Sequence, residues 1–384
     1  MVLRTSIIFA TTCHAADQLR GSYFLTSFSR GEYRIIAAPR EAGWKALKGM
    51  ELAGYAEIQT QASPPATPMD RLVALLRPEL ADVERLLVER AASPVATIPD
   101  LSSYLIAAGG KRLRPVLTLA AARAVGGRGS EAVCKLAAAV EFIHTATLLH
   151  DDVVDESSLR RGRDTANAMF GNAASVLVGD FLYSRAFQMM VAVDNMRVMQ
   201  VLSDATNVIA EGEVLQLMNC HDADVDEARY MQVIHYKTAK LFEAAAQLGA
   251  ILGQASPEVE KALAAYGMHL GTAFQLIDDV LDYSGQEADT GKHLGDDLAE
   301  GKPTLPLIYV IQHGNPEQAA CVRKAIEEGG RDDFPLVLDA IRQSGALDHA
   351  RARAVQEAEL ARSAIQCLGD SNYKKALLQL TLFA

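Results

Sequence analysis

Two short acidic stretches stand out in the 384-residue chain. The first is His150-Asp151-Asp152-Val153-Val154-Asp155, at the end of an apolar run from Leu136 to Leu149. The second is Asp278-Asp279-Val280-Leu281-Asp282, directly after Ala273-Phe274-Gln275-Leu276-Ile277. Asp151 and Asp155 are four residues apart, as are Asp278 and Asp282, so on a helix each pair shares a face. Like charges at that spacing repel. One such cluster reads equally well as a solvated helix end. Two copies, each embedded in apolar sequence, do not. Carboxylates that face one another across a cavity need cations, and hard oxygen ligands suit Mg2+. That ion takes a few carboxylates and completes its shell with phosphate oxygens and water. The spacing therefore predicts Mg2+-dependent handling of a diphosphate.

Basic residues supply the complementary charge. Lys111 and Arg114 lie at i, i+3 spacing in Gly109-Gly110-Lys111-Arg112-Leu113-Arg114-Pro115. Arg160 and Arg161 follow the first acidic cluster, Lys237-Thr238 lies between the clusters, and Lys292 and Lys302 follow the second. Taken singly, each also reads as solvated surface. Arginine suits bidentate phosphate contacts and lysine supplies a point charge. His144 lies two helical turns before Asp151 on the same face, where a phosphate ligand and a packed core histidine are equally compatible with the pattern. The chain has no HExxH zinc motif and no GxxxxGK[ST] nucleotide loop.

These groups must be positioned by helices. From Met69 onward, Ala, Leu, Glu, Arg and Met dominate, and alternating strand patterns are scarce. Breakers at Gly109-Gly110, Gly126-Gly127, Gly162, Pro257, Gly285, Gly301-Lys302-Pro303, Gly314-Asn315-Pro316 and Gly329-Gly330 divide it into ten or more helices of ordinary length. The fold class is all-α, with one domain over residues 69–384. Hydrophobic residues are 49% and charged residues 22% of the chain. That balance suits a globular chain with a large core and excludes wholesale disorder. A net charge of -11 argues against a nucleic-acid partner. No run of 18 apolar residues occurs, so no transmembrane segment is expected. Five widely spaced cysteines without a CxxC pair point to a reducing, cytoplasmic setting.

Residues 1–68 read differently. Residues 1–50 carry seven basic and three acidic side chains, and Ser63-Pro64-Pro65-Ala66-Thr67-Pro68 has a linker composition. The apolar stretch Ile7–Ala10 is short for a secretory signal. A transit peptide and an extension upstream of a start at Met69 both fit, and in either case the segment is expected to be poorly structured.

Together the motifs are specific. They are Gly110-Lys111-Arg112-Leu113-Arg114-Pro115, Glu141 through Asp155, Arg160-Arg161-Gly162, Val178-Gly179-Asp180-Phe181-Leu182, Ala210-Glu211-Gly212-Glu213, Lys237-Thr238-Ala239, Phe274 through Asp279, and Gly295-Asp296-Asp297-Leu298 to Pro303. Over residues 70–384 the chain resembles the trans-isoprenyl diphosphate synthases, and is most similar to their bacterial, octaprenyl-forming members. The resemblance implies a single large bundle of antiparallel helices around a deep central cavity, paired as a homodimer. It implies Mg2+-dependent, sequential condensation of isopentenyl diphosphate onto an allylic diphosphate such as farnesyl diphosphate. The product would be a long all-trans chain destined for the side chain of ubiquinone, with room for peripheral membrane contact at its release.

The same resemblance implies roles. Asp151, Asp155 and Asp278 would hold Mg2+, supported by Asp152, Asp279 and Asp282. Arg160, Lys237 and Lys302 would serve the leaving diphosphate, with Lys292 nearby. Lys111, Arg114, His144 and Arg161 would hold isopentenyl diphosphate without metal, and Thr238 and Gln275 would hydrogen-bond near the cation and phosphates. Ala146 and Thr147, five and four residues before Asp151, are small where short-chain relatives carry aromatic residues, so the product is expected to be long. Phe187 and Met190 are candidates for a deeper wall, although their helical spacing fits core packing equally well. Two other functions compete. A class I terpene cyclase would not need a second diphosphate site, and a non-catalytic partner subunit would be expected to lose acidic motifs that are intact here.

Overall fold

The computed structural model describes residues 23–28, 32–37, 67–107, 110–160, 162–284 and 294–382. The chain divides into two units, residues 1–64 and 65–384. In the first, β1 (Tyr23–Phe28) pairs antiparallel with β2 (Glu32–Ala37), Phe28 opposite Glu32. The expectation of little structure before residue 69 missed this hairpin. Its signal is two aromatic and β-branched runs separated by Ser29-Arg30-Gly31. The rest of residues 1–66 lies outside the described residues.

The second unit is helical because local chemistry starts and stops each segment. α1 (Pro68–Leu75) begins one residue before Met69. Thr67 caps it reciprocally. The Thr67 hydroxyl accepts from the Asp70 N–H at 3.1 Å. The Asp70 carboxylate accepts from the Thr67 N–H at 2.8 Å. α2 (Arg77–Ala91), α3 (Thr97–Ala107) and α4 (Leu113–Ala124) follow. α5 (Glu131–Val154) starts at an N-cap, Ser130, and ends at Asp155. A small antiparallel ladder, β3 (Leu159–Arg160) with β4 (Arg163–Asp164), turns the chain back. α6 (Ala166–Phe170), α7 (Asn172–Val191), α8 (Met196–Asn219) and α9 (Glu227–Ile234) come next.

α9 runs into a π-helical segment, His235–Ala239, and then α10 (Lys240–Leu252) and α11 (Pro257–Ser284). α12 (Asp296–Ala299), α13 (Leu305–His313), α14 (Pro316–Glu328), α15 (Phe334–Ser344), α16 (Ala346–Ala364) and α17 (Asn372–Leu380) complete the bundle.

α5 is the central helix. It packs along α7 and α4, while α10 packs along α4 and α11, and α11 along α16. Leu136, Val140, Phe142, Ile143 and Leu149 of α5 are buried. Each contributes roughly 1.5–3 kcal/mol of apolar transfer. By length and composition α5 is long and apolar enough to cross a membrane. Its apolarity is used inside the bundle, where 72% of that window is buried.

The π segment lies where two glycines permit close approach. A Cβ on Gly212 of α8 would stand 2.6 Å from the Lys237 nitrogen, and one on Gly271 of α11 would stand 2.8 Å from the Ala239 Cα. Only glycine lets both helices touch this backbone, and that contact sets the depth at which Lys237 sits.

Candidate active site

The C-terminal turn of α5, the middle of α8, the π segment and the loop after α12 converge on one cavity of about 770 Å³. Asp151, Asp155, Lys237, Lys302, Glu213 and Glu300 line its polar part. Ile143, Thr147, Tyr183, Ile209, Ala210 and Leu217 line its apolar part.

Two lysines face the first acidic cluster. The Lys237 ammonium lies 3.5 Å from an Asp151 carboxylate oxygen and also contacts Glu213. The Lys302 ammonium donates to Asp155 at 2.8 Å and also contacts Glu300. Burial alone would lower the Lys237 pKa, but Asp151 and Glu213 outweigh it and hold it above the ordinary lysine value. Burial likewise opposes the charge on Lys302, and Asp155, Asp297 and Glu300 more than offset it. Glu213 is pushed up to about 7, mainly by burial and then by Asp151, against the pull of Lys237. Lys302 reaches Asp155 because its own N–H donates to the Asp297 carbonyl at 2.8 Å, which coils the loop back over α5.

Other cluster residues are turned to different work. Asp152 is buried, and one of its oxygens accepts from Arg160 Nε at 2.8 Å and Nη2 at 2.7 Å. Burial still raises the Asp152 pKa against that attraction. The β3–β4 turn carries Arg160 back to this carboxylate, so the pair ties the end of α5 to the chain that follows. Asp152 was expected in support of the metal ligands Asp151 and Asp155, and here it is paired with Arg160 beside them.

The second cluster divides in a similar way. Asp278 is exposed on α11. Asp279 is buried, and it accepts from the Tyr230 hydroxyl at 2.5 Å and from Gln275 Nε2 at 2.7 Å. The Gln275 carbonyl in turn accepts from the Thr238 hydroxyl at 3.0 Å. Burial, then Asp297, drives the Asp279 pKa well up. Asp279 was expected in support of the metal ligands. Both of its oxygens are engaged in a network that ties α9 and the π segment to α11. Asp282 accepts from the backbone N–H groups of Asp296 and Asp297 at 3.2 and 3.3 Å and so holds the start of α12.

The remaining residues scatter more widely. Lys111 is exposed just before α4. The Arg114 guanidinium lies over the Phe242 ring at 4.4 Å. His144 is half-buried on α5, and its carbonyl accepts from the Thr147 hydroxyl at 2.9 Å. Lys111, Arg114, His144 and Asp278 do not line the cavity. Arg161 and Lys292 lie outside the described residues. Thr147 faces the cavity, whereas Ala146 and Met190 are fully buried in the apolar core. Phe187 is half-buried against Tyr183, ring centroids 5.1 Å apart, and Tyr183 is the residue that reaches the cavity.

Among the described residues, no three His, Cys, Asp or Glu side chains converge closely enough to hold an ion by themselves. The cavity does present two carboxylates, Asp151 and Asp155, and Mg2+ is commonly bound by one or two carboxylates plus phosphate and water. Sequence reasoning did not single out Tyr230, Arg112 or Glu300, and it gave Glu213 no role. Arg112 pairs with Glu84 at 2.7 Å and Glu141 at 2.8 Å, so within the Lys111–Arg114 stretch it joins α2 to α5.

The polyprenyl synthetase family model matches residues 95–340. The chain belongs to that family. This prenyltransferase is 54% identical over 317 residues to octaprenyl diphosphate synthase of Escherichia coli, covering 82% of this chain and 98% of the relative. It is 46% identical over 313 residues to an all-trans-nonaprenyl-diphosphate synthase (geranyl-diphosphate specific) of Rhodobacter capsulatus, covering 82% of this chain and 96% of that one. A crystal structure of a Caulobacter crescentus polyprenyl synthase, complexed with calcium and isoprenyl diphosphate, matches with TM-score 0.80 and 47% identity. That match covers 84% of this prenyltransferase and 98% of the crystallised chain.

Proposed function

We propose that this chain is a long-chain all-trans polyprenyl diphosphate synthase, that its product is octaprenyl diphosphate, and that the product supplies a quinone side chain, as in ubiquinone. The observation that carries the reading is the cavity that joins the Asp151, Asp155, Lys237 and Lys302 charges to an apolar interior. Charged groups and apolar side chains line the same cavity, as an allylic diphosphate with a charged head and a hydrocarbon tail requires.

Asp151 and Asp155, with the exposed Asp278 opposite in sequence, have the hard oxygen donors that Mg2+ takes. Bound there with substrate, Mg2+ supplies charge stabilisation for a departing diphosphate. Lys237 and Lys302 donate to that diphosphate as its C–O bond breaks, where fixed charge in a dry site acts most strongly. Ile143 and Ile209, both buried, keep water from the allylic cation. The isopentenyl double bond attacks it, a C–C bond forms, and a proton leaves to the departed diphosphate. Thr238 and Gln275, fixed to each other at 3.0 Å, present a polar edge of the π segment beside Lys237. Lys111, Arg114, His144 and Arg161 are assigned to isopentenyl diphosphate, whose site must hold phosphate without ionising it.

A homodimer working in the cytoplasm completes the reading. Leu177 on α7 and Leu217 and Met218 on α8 are 66%, 61% and 71% exposed. A second copy would cover exposed apolar side chains of this kind. The test of the reaction is incubation of the full chain with farnesyl and isopentenyl diphosphates and Mg2+, with the products separated by length. Octaprenyl diphosphate is expected. A hydrocarbon formed without isopentenyl incorporation would favour a cyclase and overturn the proposal.

A further inference from the structure

Lys237 and Lys302 are held by the same arrangement. Each ammonium bridges one carboxylate of the first acidic cluster and one carboxylate outside it. For Lys237 these are Asp151 and Glu213; for Lys302 they are Asp155 and Glu300. Both lysine side chains are largely enclosed, at 18% and 15% exposure, and all six residues line the one cavity. The outside carboxylates come from different elements, Glu213 from α8 and Glu300 from the end of α12, so the repetition does not follow from one local turn.

We propose that Glu213 and Glu300 are positioning residues that anchor Lys237 and Lys302 at the leaving diphosphate. The reasoning is electrostatic. A divalent cation on Asp151 and Asp155 neutralises the carboxylates that attract the two lysines. The lysines would then face that cation with only the diphosphate and their second partners to oppose the repulsion. Glu213 and Glu300 stand outside the acidic cluster, so a cation bound there leaves their contacts with the ammonium groups in place. Each anchor thus holds one lysine at the diphosphate through metal loading, and neither touches the reacting atoms. The inference rests on the reading of Lys237 and Lys302 as leaving-group residues.

The experiment is a pair of double-mutant cycles in the full chain: Glu213→Gln with Lys237→Ala, and Glu300→Gln with Lys302→Ala. Turnover and KM are measured for each substrate separately, and circular dichroism reports folding. Each Gln variant is expected to lose about 10- to 100-fold in kcat, the range typical of residues that orient a charged ligand, with KM for isopentenyl diphosphate unchanged. In the background of its own lysine variant, the same Gln change is expected to add less than about twofold, whereas the crossed combinations multiply. Equal losses with and without the partner lysine would overturn the proposal, as would wild-type kcat in both Gln variants. If Lys237→Ala and Lys302→Ala themselves turn over normally, the leaving-group reading falls and the anchors with it. If only the Gln variants are silent, that reading stands and the anchors alone are refuted. Should Glu213→Gln fail to fold, the Glu300–Lys302 cycle decides by the same criterion.

Discussion

Replacing Thr147 by Tyr is expected to shorten the product. Thr147 lies four residues before Asp151 on the face of α5 that lines the cavity, with Ile143 one turn further down. At a rise of 1.5 Å per residue, position 147 is about 6 Å and position 143 about 12 Å below the level of Asp151. An isoprene unit adds four main-chain bonds, about 5 Å when extended. A ring at 147 therefore meets the tail after roughly one or two units, well inside the length of a polyprenyl chain. Products of no more than about four units are expected to dominate, with weaker binding of a farnesyl primer. The assay is chain-length separation under excess isopentenyl diphosphate, with wild type alongside. Ala146→Tyr differs physically. Ala146 is fully buried in the core. Added bulk there typically costs about 1–3 kcal/mol, so a lower thermal midpoint is expected. An unchanged long product from a folded Thr147→Tyr variant would refute the route of the tail along α5.

Three further outcomes follow from named contacts. Arg112→Ala leaves Glu141 buried without its partner at 2.8 Å. It is expected to lower stability by about 3–5 kcal/mol in denaturant unfolding. Tyr230→Phe removes the donor that lies 2.5 Å from buried Asp279. It is expected to destabilise by about 1–3 kcal/mol, and a midpoint equal to wild type would show that the network carries no load. A chain starting at Pro65 keeps the Thr67 cap and is expected to match the full chain in stability. One starting at Met69 loses the cap and is expected to be about 1 kcal/mol less stable by thermal unfolding.

The helical architecture was legible because its signals are local. Period, caps and breakers are written within a few residues, and the strong apolar run before Asp151 is the central helix itself. Asp151, Asp155, Lys237 and Lys302 were also legible, because charge embedded in apolar sequence has few structural explanations. What the sequence did not reveal depends on contacts between distant elements. Asp152 and Asp279 lie directly beside Asp151 and Asp278 and are of the same type, and only Arg160 and Tyr230 show that they are turned inward. Glu300 sits two residues from Lys302, yet its partnership depends on the loop folding back over α5. Thr147 and Ala146 are adjacent and both small, and the rotation of α5 alone decides which of them meets the cavity. The β1–β2 hairpin had a local signal that was outweighed by the composition of the segment around it.

The central claim is that the first acidic cluster serves catalysis and not folding, and Asp151→Ala tests it most directly. Among the described residues, Asp151 pairs with Lys237 at 3.5 Å, and that lysine keeps Glu213 when Asp151 is gone. The account expects an unchanged helical signal and a thermal midpoint near wild type. Mg2+-dependent incorporation of isopentenyl diphosphate should fall by at least about 100-fold, the scale of one lost electrostatic contact in a dry site. Near-normal turnover in a folded Asp151→Ala variant would contradict it.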